Sequence, residues 1–112
     1  MRPGLPPEGA TGGQIAMLYC PFPDGASAEA AAEVLVGEGL VACAQILGAV
    51  RSHYRWQGKA EWAEEVPLLA KLPLAHCDAA RARIITLHPY DLPAVVSWTV
   101  GCAPELEAWA RD

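Results

Sequence analysis

Apolar and polar positions alternate differently from one stretch of the chain to the next, and each change of rhythm marks an element. Gln14 to Cys20 is a compact apolar run closed by Pro21-Phe22-Pro23-Asp24-Gly25, a strand that gives way to a loop. Ala28 to Glu38 is Ala-rich and carries Val34 and Leu35, with Glu29 and Glu33 at i, i+4 on a solvent face. It reads as a helix: the Ser27 hydroxyl is placed to accept an early helix N–H, and Gly37 and Gly39 mark the end. Leu40 to Leu47 is strand-like and bends at Gly48. Val50 to Trp56 alternates, with Arg51, His53 and Arg55 on one face and Ser52, Tyr54 and Trp56 on the other. Gln57-Gly58-Lys59 is a turn, and Ala60 to Leu72 returns as a second long arm, so the segment is a long β-hairpin. Pro67 interrupts that arm; proline donates no ladder hydrogen bond, which places it against an unpaired edge or a bulge. His76 to Leu87 has helix composition. His88-Pro89-Tyr90-Asp91-Leu92-Pro93 is a connection stiffened by two prolines. Ala94 to Val100 is a last strand, and Pro104 to Ala110 a short helix with Leu106 and Trp109 on one side.

The order β-α-β-β-α-β plus a short C-terminal helix is that of an α+β, ferredoxin-like sandwich. Its hairpin is too long for a minimal version of that fold, since an ordinary strand has about six residues. Tyr54, Trp56 and Trp62 sit on this ribbon, and large aromatics on a projecting ribbon call for a cover. A second copy of the chain is the natural cover, and a free sheet edge invites the same pairing.

Composition narrows the picture further. The 112 residues suffice for one domain, and 53% hydrophobic content supplies a core. Residues 1–13 are rich in Pro and Gly and read as a flexible tail without a secretion signal; the domain is expected over 14–112. A formal charge of −5 and the lack of any Lys/Arg run argue against nucleic acid and membrane surfaces as partners. Apolar stretches are broken well short of the roughly 18 residues of a membrane helix. A cytoplasmic protein is expected, and its four cysteines, Cys20, Cys43, Cys77 and Cys102, are then free thiols. No Walker A loop, GxSxG elbow or HExxH pair is present, and the loop after the first strand has no Arg of the kind an acylphosphatase needs, so no enzyme is expected. Lys71 within an apolar strand needs a partner, either Glu65 or a carboxylate of another subunit. Glu61, Glu64 and Glu65 could meet a hard cation or form a solvated face.

Ala42-Cys43, the run Ser52-His53-Tyr54-Arg55-Trp56-Gln57-Gly58-Lys59, Glu65 with Lys71, and His88-Pro89-Tyr90 with Pro93 occur here in the order found in the CutA family of divalent-cation tolerance proteins, which this chain resembles from about Met17 to Trp109. The sequence departs from that pattern at Pro67, at Leu72 after Lys71, and at Leu106 before Trp109. The resemblance implies a PII-like homotrimer of ferredoxin-like subunits, associated with copper and other divalent cations. Where such proteins have a proposed copper site of two Cys and one His, the matching residues are Cys20, Cys43 and His88. Thiolate suits Cu(I), and imidazole accepts either oxidation state. The competing reading makes both cysteines small buried hydrophobes and gives His88 a hydrogen bond to a loop carbonyl. In a ferredoxin-like sheet Cys20 and His88 fall near one end and Cys43 near the other, so a three-ligand site needs a second subunit. The alternative function is a PII-like signalling or scaffold protein that takes a small molecule or partner at clefts between subunits.

Overall fold

A computed structural model describes residues 12–112; of the tail expected over residues 1–13, residues 1–11 lie outside the described residues, and Gly13 belongs to the first strand. The elements are β1 (Gly13–Phe22), α1 (Gly25–Gly37), β2 (Cys43–Ile46), β3 (Val50–Trp56), β4 (Lys59–Leu72), a 3-10 turn (Leu74–His76), α2 (Cys77–Leu87), β5 (Val96–Cys102) and α3 (Pro104–Ala110). The strands lie in the order β2-β4-β1-β5, every neighbour antiparallel, and β3 pairs with the outer half of β4. With β2 and β3 taken as two segments of one broken strand, this is the ferredoxin-like sheet.

One face of the sheet carries Ala16, Leu18, Cys20 and Phe22 of β1 beside Leu72, Ala70, Leu68 and Val66 of β4. These side chains form the core with Ala28, Ala31 and Leu35 of α1 and Ala80 and Ile84 of α2. The other face, with Met17, Tyr19, Leu69, Lys71, Val96 and Trp98, has neither long helix over it; Val96 and Trp98 are exposed, and the rest are half-buried.

Two sequence expectations are corrected here. The first strand runs past Cys20 through Pro21 and Phe22, because Pro21 stands opposite Pro67 and neither proline owes the other a hydrogen bond. The helix cap is Asp24, not Ser27: the Asp24 carboxylate accepts from the Ser27 N–H at 2.8 Å, so α1 starts three residues before the Ala-rich run. Gly39, at φ +73°, supplies the left-handed residue that ends the turn after α1.

Pro67 does face a bulge. Its carbonyl accepts from the Leu47 N–H at 2.9 Å, so its missing donor also points toward β2. The β2–β4 ladder stops one step away, at Ile46↔Leu68. Pairing resumes at Val50↔Glu65, so residues 47–49 oppose only residues 66–67. Beyond this break the hairpin projects. Its turn places Gln57 at φ 51° and Gly58 at φ 80°, the pair of positive φ values of a type I′ two-residue hairpin loop. Fourteen residues of β4 span roughly 46 Å at strand rise, which accounts for the 49 Å long axis of the molecule.

Candidate functional site

Two places gather chemistry. The first is the end of β1. Cys20 lies on the core face and is fully buried, with its Sγ 3.7 Å from the Pro21 carbonyl oxygen. His88 follows α2, is 7% exposed, and stacks on Phe22 at 4.3 Å between ring centroids. Its Nε2 lies 2.7 Å from the same Pro21 oxygen and its Nδ1 accepts from the Tyr90 N–H at 3.1 Å. A carbonyl only accepts and an amide N–H only donates, so this pattern fixes a neutral imidazole with its proton on Nε2. Burial, and secondarily the charge of Glu65, push the Cys20 thiol up to about 12. It is therefore a protonated core thiol at neutral pH.

Cys43 is elsewhere. It pairs with Lys71 at the start of β2, whereas Cys20 pairs with Leu68. Two strand spacings across and three residues along, the backbones are roughly 14 Å apart. The faces differ as well: Lys71 and Cys43 share the open face, while Leu68 and Cys20 point into the core. Among the described residues no three His, Cys, Asp or Glu side chains converge as metal ligands. Lys71 donates to Gln45 Oε1 at 3.4 Å on the open face rather than to Glu65.

The second place is a cavity of about 710 Å³ between the hairpin and the loop that leads into β5. Its walls are Ser52, Tyr54 and Trp56 of β3, Glu61 and Glu65 of β4, and the segment 89–92 with Ala94, over Pro21. The Tyr90 hydroxyl donates to Glu65 at 3.0 Å and ties the loop to the hairpin. Burial, the bond to Glu65 and that carboxylate's charge push the Tyr90 phenol up to about 12, so it remains a donor throughout the physiological range. Alternation along Val50 to Trp56 had already put Ser52, Tyr54 and Trp56 on one side. That the loop 88–93 closes over that side depends on a contact between residues 25 apart, for which the sequence carries no local signal.

Residues 16–112 match the family model described as CutA1 divalent ion tolerance protein. The divalent-cation tolerance protein CutA of Pyrococcus horikoshii is 40% identical over 80 residues, which cover 71% of this chain and 78% of that protein. Among solved structures, CutA of Xylella fastidiosa matches with a TM-score of 0.82 at 40% identity, over 86% of this chain and 93% of that one. The divalent cation tolerance protein of Thermus thermophilus matches with a TM-score of 0.81 at 31% identity, over 88% and 96%. None of these descriptions names an enzyme. No helix among the described residues is long and apolar enough to cross a membrane.

Proposed function

The chain belongs to the CutA1 divalent ion tolerance family, and from that premise we propose that it serves divalent-cation tolerance as a non-enzymatic, cytoplasmic homotrimer that meets copper or another divalent ion. The observation that carries the assembly is the open face of the sheet. Trp98 is 45% exposed there, and the side of the hairpin away from the cavity adds Trp62 at 57%. Covering indole rings removes apolar surface from water at about 25 cal/mol per Å². Among the described residues the edge of β3 and the edge of β4 beyond Val66 have no pairing strand, and they offer backbone groups to a neighbouring chain.

The expected ligand set Cys20, Cys43 and His88 does not fit a three-ligand site within one chain. Cys20 is a buried protonated thiol, His88 has both ring nitrogens engaged, and Cys43 is on the other face. The donor left within reach of an ion is Cys43, half-buried on the face that the proposed assembly brings together. A thiol ligand must lose its proton to bind, so affinity through Cys43 rises with pH. The test is an equilibrium copper titration of reduced, chelator-free protein, read as ions per assembly. Cys43→Ser should weaken binding about tenfold or more, and Cys77→Ser should not. Equal affinity in the two variants, with circular dichroism and assembly mass unchanged, would remove Cys43 as a donor. Loss in His88→Ala at unchanged mass would mean that the imidazole leaves Pro21 to join the ion.

A second reading is favoured by the cavity. Its volume lies in the range of small-molecule sites, about 300–1,000 Å³, and aromatic walls with a few placed polar groups are the usual lining of such sites. On this reading the protein is a PII-like scaffold whose clefts take a small molecule, and its link to metal ions is indirect.

A further inference from the structure

The basic residues of β3 lie away from the cavity, on a face that also carries Glu64 of β4. Arg51, His53 and Arg55 share one side of β3, where the Arg51 guanidinium lies 4.5 Å from the centre of the Trp62 ring. The opposite side, which lines the cavity, presents Glu61 and Glu65, and the loop across from it adds Asp91. No Lys, Arg or His is among the described lining residues; Lys59, paired with Trp56 at the turn, is not one of them. Three aromatic side chains, Tyr54, Trp56 and Tyr90, stand among these carboxylates. Two of the carboxylates have phenol partners, Glu65 with Tyr90 at 3.0 Å and Glu61 with Tyr54 at 3.4 Å, which leaves acceptor capacity on each.

We infer that this cavity binds a small organic cation, an alkyl- or quaternary ammonium compound, held by the faces of Trp56, Tyr54 and Tyr90 and by the charge of Glu61, Glu65 and Asp91. The inference rests on the second reading above and names the ligand class for it. Anions are repelled by three carboxylates, with no basic group among the described lining residues to offset them. A bare metal ion is a poor match, because it needs oxygens converging at about 2–2.6 Å and no three ligands converge among the described residues. An organic cation needs no such convergence. Its charge is spread over alkyl groups, which lose little by leaving water and lie well against an aromatic face. The cavity is also several times larger than an ion requires.

The probes are choline, its neutral isostere with carbon in place of the quaternary nitrogen, and a carboxylate of matched size. Each is titrated into the full-length protein at low salt, with tryptophan fluorescence and calorimetry as readouts. Choline is expected to bind about tenfold or more tightly than the neutral isostere, and the carboxylate not at all. Glu65→Gln and Trp56→Leu should each weaken choline about tenfold, while His53→Ala on the opposite face should leave it unchanged. Should Trp56→Leu alter the assembly mass, Glu61→Gln and Glu65→Gln, which keep side-chain volume, carry the test. Choline binding that is matched by the neutral isostere, or indifferent to both Glu→Gln changes, overturns the cationic site. Binding of the neutral or anionic probe alone overturns it too but preserves a small-molecule cleft. Binding by none of the probes overturns the cationic site.

Discussion

The Pro21 carbonyl decides what two of the three expected ligands do. It receives the His88 Nε2 proton and lies within weak bonding distance of the Cys20 thiol, so both residues are occupied with closing the end of β1. Cys20 should therefore be inert. With its thiol pushed up to about 12 and its sulfur buried, it should be the last of the four cysteines to take up iodoacetamide at neutral pH, as mapped by mass spectrometry of the native protein. Labelling of Cys20 as fast as that of Cys43 would contradict its place in the core. His88→Ala strips a partner from the Pro21 carbonyl and from the Tyr90 N–H together. Leaving such groups unpaired costs about 1–3 kcal/mol, so urea unfolding should show a loss of that order. No loss would mean that water replaces both bonds.

Among the elements, α1 and α2 are held together by more than their apolar faces. Arg83 of α2 grips Glu38, the C-cap of α1, through two hydrogen bonds of 3.0 and 2.8 Å. That bond is the main reason the Glu38 carboxyl is held below its ordinary 4.5; Asp24 is likewise lowered from 3.8 by the Ser27 N–H it caps. Carboxylates depressed by folding stabilise the folded state above their unfolded values. That contribution is lost as pH falls through the depressed folded values. Stability should hold from neutral pH down to about pH 5 and decline below it. Glu38→Gln should flatten part of that decline in urea midpoints measured from pH 7 to pH 3. An unchanged slope would show that the pair adds nothing to folding, as many surface pairs do. The helices, the hairpin and the short terminal helix were legible because their periodicity and turn residues are local. Pro67 was legible as an irregularity, since a missing donor must face a gap wherever the strand lies. Pro21 was misread for a reason sequence cannot supply: a proline looks like a strand end until another proline is found across from it. Cys20 and His88 could be placed near one end of the sheet and Cys43 near the other, but which face each occupies depends on register, as does the cavity beneath Tyr90.

At the scale of the molecule, one half of the sheet is finished and the other is not. The core face has its two helices; the open face, with Trp98, and the projecting hairpin, with Trp62, have no cover of comparable size among the described residues. The proposed homotrimer supplies that cover and brings Cys43 of each chain onto an assembled surface. Mass action then ties stability to protein concentration. Sedimentation equilibrium of the reduced protein at micromolar concentration tests this most directly. The proposed assembly requires three times the 11.9 kDa chain mass, and a single species at the mass of one chain would contradict it.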